Sequence, residues 1–202
     1  MIAIIDYGLG NLKSVKYALD RLGKDSILTE RAEDLRAASG VILPGVGAFE
    51  QAMANLRDKG LVEPIRAVAA SGKPLIGICL GVQLLLTQSQ EYGLHAGLDI
   101  IPGQVVRFAE NLTVPHMGWN QVEQARPCPL FEGVADGAFF YFAHSYYLRP
   151  DSADAAAGLT DYGGRYCSMV QSGNVYGTQF HPEKSGPVGL TMLENFCRLC
   201  EK

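Results

Sequence analysis

The stretch Gly77-Ile78-Cys79-Leu80-Gly81 constrains this chain more than any other. It follows the apolar run Pro74-Leu75-Ile76 and precedes the helix-like segment Val82 to Leu86. Strand, then Gly-x-nucleophile-x-Gly, then helix is the pattern of a nucleophile elbow, with cysteine in the nucleophile position. A strand-to-helix turn this sharp brings backbones close together, and glycine is the residue that leaves room for them. Such a turn lifts the sulfur clear of the sheet, and the helix N-terminus behind it favours the thiolate. A cytosolic cysteine is ordinarily core packing. The flanking glycines and the strand–helix context set Cys79 apart from that default, whereas Cys128 and Cys167 have no such context.

An elbow needs a parallel sheet beneath it, and the first ninety residues supply the alternation. Ile2 to Ile5, Ile27-Leu28, Val41 to Leu43 and Pro74 to Ile78 read as apolar strands. Between them, Leu12 to Leu22, Ala32 to Ala38, Ala48 to Arg57 and Leu61 to Ala70 read as helices. Apolar strands separated by helices imply a parallel sheet covered on both faces, with sites at the carboxyl ends of strands. Cys79, Asp6 and the loop Pro44-Gly45-Val46-Gly47 all fall at such ends. The second half is different, with short extended pieces at Leu98 to Gly103, Val105-Val106 and Val114-Pro115. Phe139 to Phe142 is a strand by its aromatic content. Tyr166 to Gln171 and Val175 to Phe180 form a hairpin around Ser172-Gly173-Asn174, and Gly189 to Leu199 is a closing helix. Asp151 to Ala157 reads as a surface loop. The expectation is one mixed α/β domain over residues 1–202, its sheet largely parallel and flanked by helices.

Composition excludes several classes of function. At 202 residues the chain can bury a core without metal or disulfide support. With a net charge of -4 and no Lys/Arg cluster, nothing indicates nucleic acid or a membrane surface. No apolar run approaches the roughly 20 residues needed to span a bilayer, and five scattered cysteines point to a reducing, cytoplasmic compartment. Cys197-Arg198-Leu199-Cys200 has no second pair, so no metal site is expected. Asp6 to Asn11 contains Gly-x-Gly after a strand, but Lys13 stands where a dinucleotide fingerprint needs its third glycine. No cofactor is expected.

A cysteine nucleophile needs a base and a group to orient that base. His181-Pro182-Glu183 follows the last strand candidate. Pro182 biases His181 to extended backbone, where residues two apart point the same way and Glu183 can reach the imidazole. A carboxylate so placed holds the tautomer and stabilises the imidazolium. Pro44 to Gly47 is suited to supply an oxyanion donor beside the N–H of Leu80, although the residues alone leave a phosphate loop or a plain turn open. Trp119, the only tryptophan, lies in a stretch too polar and broken for a core strand. Packing and a partner-facing surface are both open for it.

Taken together, these motifs resemble the class I (triad) glutamine amidotransferases, whose fold is flavodoxin-like. The resemblance is carried by D-Y-G-L-G-N-L-K-S at 6–14, P-G-V-G-A-F at 44–49, G-I-C-L-G-V-Q at 77–83, P-H-M-G-W-N at 115–120, F-A-H-S-Y at 142–146 and F-H-P-E-K-S at 180–185. Within the family the chain is most similar to the glutaminase subunits of imidazole glycerol phosphate synthases. The resemblance implies a Cys79, His181, Glu183 triad that hydrolyses glutamine through a thioester. It implies oxyanion donors at Leu80 and Val46, helped by Gly47, and glutamine contacts from Gly45, Gln83, His144, Ser145 and Tyr146. It further implies a cyclase partner with a (β/α)8 barrel that receives ammonia, met through Asn11, Trp119, Asn120 and Lys184. Because a complete triad comes without a domain to use ammonia, the isolated chain is expected to be a poor glutaminase, its oxyanion loop misaligned until partner and ligand bind. The alternatives are the glutaminase of another ammonia-channelling synthase such as pyridoxal phosphate synthase, a stand-alone cysteine hydrolase, and a non-catalytic binding subunit. P-H-M-G-W-N argues against the first, and the intact triad against the last.

Overall fold

A computed structural model describes residues 1–201. The strands β1 (Ile2–Ile5), β2 (Ser26–Thr29), β3 (Gly40–Gly45), β4 (Leu75–Cys79) and β13 (Val175–Thr178) form a parallel block in the order β2-β1-β3-β4-β13. Helices α1 (Leu12–Arg21), α2 (Ala32–Ala37), α3 (Phe49–Asp58), α4 (Val62–Ala70), α5 (Leu80–Leu85) and α6 (Gly186–Leu199) cover it. Alternation along β1 decides which helix goes where, because successive strand residues face opposite sides. Ile2 and Ile4 pack with Val15 and Leu19 of α1 and Phe196 of α6. Ala3 and Ile5 pack with Leu35 of α2, Phe49 of α3 and Ile65 of α4. Both faces of β1 are therefore buried, and it has no polar side to lose.

The remaining strands are β5 (Leu86–Ser89), β6 (His95–Ala96), β7 (Ile101–Arg107), β8 (His116–Gln124), β9 (Ala138–His144), β10 (Tyr146–Pro150), β11 (Ala156–Asp161) and β12 (Arg165–Ser172). Apart from the parallel β5–β7 pair, they join antiparallel. The parallel half thus carries the expected doubly wound pattern, and the second half adds an antiparallel extension.

Four expectations are corrected here. Leu98 to Val106 is not two extended pieces but one strand starting at Ile101. Val114-Pro115 is not extended ladder, and pairing begins at His116. The Asp151 to Ala157 loop ends early, because Ala156 and Ala157 already belong to β11, which pairs with β12 in the sheet. The helix after Cys79 stops at Leu85, and Leu86 to Ser89 turns into β5. In that last case Leu84 to Leu86 is a buried apolar run that straddles the boundary, and periodicity does not separate a short buried helix from a strand. The polar stretch around Trp119 is a nine-residue strand paired on both sides, by β9 and β11. Its alternation is real: Met117 and Trp119 face out, while His116 and Val122 face in.

Candidate active site

Register brings the site together before any side chain is considered. Gly45 of β3 pairs with Cys79 of β4, and Ile78 pairs with Thr178 of β13. One step further along, Gln179 stands beside Cys79. Three strand ends therefore reach one level at the carboxyl edge of the parallel block.

Cys79 itself has φ 55 and ψ -111, a backbone conformation that costs a side-chain-bearing residue of order 1–3 kcal/mol. The surroundings hold it there. A Cβ on Gly81 would lie 1.8 Å from the Leu43 carbonyl oxygen, and one on Gly77 would lie 2.7 Å from the Val82 backbone. A Cβ on Gly177, directly across from Gly77, would meet the Val82 side chain at 2.0 Å. Glycine at these positions lets α5 settle onto the sheet and forces the turn at Cys79.

His181 and Glu183 follow β13 across the short turn at Gln179 and Phe180. The His181 N–H donates to the Tyr141 carbonyl at 2.9 Å, while Ser185 Oγ donates to the His181 carbonyl at 2.6 Å. Ser185 Oγ also accepts from the Tyr141 N–H at 2.9 Å, so β9 anchors the whole segment. His181 Nδ1 faces Glu183 Oε1 at 2.9 Å. Burial opposes charge on the imidazole, but hydrogen bonds to Cys79 and Glu183, with their negative charge, outweigh it and raise the pKa to about 10. The Cys79 sulfur also lies 4.0 Å from the Ala143 carbonyl oxygen and 3.9 Å from Gln179 Nε2.

A cavity of about 230 Å³ opens beside Cys79, lined among others by Val46, Gly47, Leu80, Gln83, His144, Ser145 and Tyr146. Gly47 adopts φ 103, which allows the loop after β3 to turn over the cavity. Gly45, expected as a substrate contact, sits tightly packed where β3 meets the elbow. A Cβ there would lie 2.5 Å from the Tyr7 hydroxyl oxygen and 2.9 Å from Leu80 Cβ, so its role is close approach of β3 to the elbow. His144 Nδ1 bonds the Tyr146 carbonyl at 2.7 Å, which fixes its tautomer and leaves Nε2 to accept from His116 Nδ1 at 3.1 Å. Burial pushes both rings down, His116 to about 4 and His144 to about 3. Both are neutral near pH 7.

Sequence reasoning missed Glu91 and Gln179. Glu91 lines the cavity, and its Oε2 accepts from the Phe49 N–H at 2.6 Å, capping α3 where the glycine loop ends. A partner 42 residues away leaves no local signal. Of the residues expected to face a partner, Trp119 is 56% exposed, Lys184 is exposed, and Asn11 and Asn120 are half-buried. Trp119 meets Tyr141 edge to face at 6.2 Å, and Lys184 Nζ stands 5.9 Å from the same ring, so a partly exposed aromatic strip borders the His181 segment. No group of metal-ligating side chains occurs among the described residues.

Comparison with known proteins identifies the family. Residues 3–200 match the family Glutamine amidotransferase class-I. The imidazole glycerol phosphate synthase subunit HisH of Moorella thermoacetica is 56% identical over 98% of this chain and 94% of its own length. The subunit of the same name from Syntrophotalea carbinolica is 50% identical over 97% and 98%. Among solved structures, one described as a glutamine amidotransferase superposes with a TM-score of 0.79 at 20% identity, covering 100% of both chains. PurLQS from Thermotoga maritima superposes with a TM-score of 0.76 at 17% identity, over 98% of this chain and 97% of that one. These two bear on the fold alone.

Proposed function

The chain belongs to the class I glutamine amidotransferases, and from that premise we propose that it is the glutaminase subunit of an imidazole glycerol phosphate synthase, acting in histidine biosynthesis. The observation that carries this is a cysteine held in a strained elbow, next to a buried His181–Glu183 pair, at the edge of a small cavity.

Each group has a chemical task. The Cys79 sulfur attacks the side-chain amide carbon of glutamine, and the amide oxygen takes the negative charge. Backbone N–H groups of Leu80 and Val46 meet that oxygen, where fixed dipoles stabilise charge without having to reorganise. His181, as imidazolium, gives its proton to the departing nitrogen, so ammonia leaves and a γ-glutamyl thioester remains. Neutral His181 then draws a proton from water, the water attacks the thioester, and glutamate departs as the sulfur is released. Glu183 orients the ring and stabilises its charged form. The Glu91 carboxylate and Gln83 are placed to hold the α-ammonium of glutamine, while the Ser145–Tyr146 backbone holds the rest of the amino-acid head.

Ammonia passes to a cyclase subunit with a (β/α)8 barrel, which uses it to make imidazole glycerol phosphate and aminoimidazole carboxamide ribotide. The exposed Trp119 and Lys184 belong to the docking face, together with the partly exposed Asn11 and Asn120. The assembly works in the cytoplasm. Among the described residues no helix is long and apolar enough to cross a membrane.

The test is labelling with a glutamine-like chloroketone. Modification confined to Cys79 and prevented by glutamine supports the reading. Hydrolysis of unrelated amides or peptides in preference to glutamine refutes it in favour of a stand-alone hydrolase.

A further inference from the structure

Gln179 has no assigned task, yet it is fully buried and its two polar atoms join two parts of the site. Its Oε1 accepts from Gln83 Nε2 at 3.0 Å, and its Nε2 faces the Cys79 sulfur at 3.9 Å. Gln83 Nε2 also donates to the Tyr146 carbonyl at 3.1 Å.

The direction of this chain is not free. A side-chain amide can turn over and exchange its oxygen and nitrogen, but a backbone carbonyl cannot. The Tyr146 oxygen accepts only, so Gln83 must present its nitrogen there. With both N–H groups of that nitrogen engaged, Gln179 must present its oxygen to Gln83. The nitrogen of Gln179 is then turned to the sulfur. Turning either amide over would set oxygen against oxygen or nitrogen against nitrogen in a sealed interior, where an unmet polar group is costly. The Gln83 oxygen makes no bond among the described residues, and Gln83 lines the cavity.

We infer that Gln179 is a positioning residue that delivers an N–H to the Cys79 thiolate and fixes Gln83 with its oxygen available to the substrate. The sulfur thereby has a second donor independent of His181. The same bond chain makes the cavity present an acceptor, suited to an ammonium group, rather than a donor at Gln83. This inference rests on the glutaminase reading for its substrate side only; the contact with the sulfur stands without it.

Two variants of the full chain separate these effects. Gln179→Glu keeps an acceptor for Gln83 and replaces the donor at the sulfur with a carboxylate oxygen. Gln179→Met keeps the length and removes both groups without adding charge. The readout is the pH dependence of Cys79 alkylation by iodoacetamide, followed on the Cys79 peptide by mass spectrometry, with the thermal midpoint of each variant recorded. Both profiles move to higher pH, by about one pH unit or more for Gln179→Glu, a tenfold loss of reactive thiolate at a given acidic pH. In the complex with the cyclase, Gln179→Glu lowers kcat about tenfold with KM within about threefold, whereas Gln179→Met also raises KM because Gln83 loses its partner. An unmoved alkylation profile in Gln179→Met overturns the inference, even if Gln179→Glu shifts, because added charge alone then accounts for it. Should Gln179→Glu fail to fold, the Met variant decides. Failure of the wild-type complex to hydrolyse glutamine refutes the glutaminase reading instead, and leaves the alkylation result to be judged by itself.

Discussion

His181 Nδ1 and Glu183 Oε1 lie 2.9 Å apart, with the two side chains only 3% and 1% exposed. A carboxylate sealed against an imidazole keeps the ring charged until the reaction takes its proton. Glu183→Gln preserves the shape and the acceptor but removes the charge. We expect kcat to fall about 10²-fold, the scale of positioned acid–base catalysis, with KM little changed. Steady-state kinetics of the complex checks this.

His116 and His144 predict an acid-labile fold. Their folded pKa values, about 4 and about 3, lie below the usual 6.5, so the unfolded chain binds more protons between those limits. Stability is complete with respect to these groups above pH 6.5 and declines as pH falls towards 4. Denaturant unfolding across that range should show a slope steeper than in His116→Phe, a variant that no longer takes up one of those protons on unfolding.

The parallel half of the fold was legible because its strands are continuous apolar runs and its helices carry a clear 3.6-residue stripe. Cys79, His181 and Glu183 stood out as candidates for a related reason: an elbow and a strand-end His-x-Glu are local patterns. What stayed hidden depends on contacts far apart in sequence. The β8 strand reads as polar because its two faces meet different surroundings, Met117 and Trp119 outside and His116 inside. Gln179 and Glu91 look like ordinary polar residues until Cys79 and Phe49 are brought to them. Gly45 matched a loop motif, but the crowding that requires glycine there follows only from Tyr7 and Leu80 closing on it.

The glycines of the elbow should be among the least replaceable residues. Gly81→Ala puts a methyl 1.8 Å from the Leu43 carbonyl oxygen, a backbone atom that no rotamer change can move. Overpacking of this kind costs about 3 kcal/mol or leaves the chain unfolded. Gly60→Ala, with nothing near the added methyl, reports the cost of positive φ alone and should be much milder in the same urea titration.

Trp119 separates docking from chemistry. It is exposed, edge to face with Tyr141, and makes no contact with the sulfur. Trp119→Ala should weaken binding to the cyclase by about 2 kcal/mol or more, roughly 30-fold in Kd, the range of buried aromatic anchors. Alkylation of Cys79 in the free chain should be unchanged. Calorimetry and the alkylation rate together check both parts.

Whether the chain is a partner-gated glutaminase is decided by glutamate release from glutamine. The purified chain is assayed alone and with a cyclase barrel plus its ribonucleotide ligand, with Cys79→Ala in parallel. We predict slow release by the chain alone, strong stimulation in the complex, and none with Cys79→Ala. Full turnover without the partner, or no glutaminase activity under either condition, would contradict it.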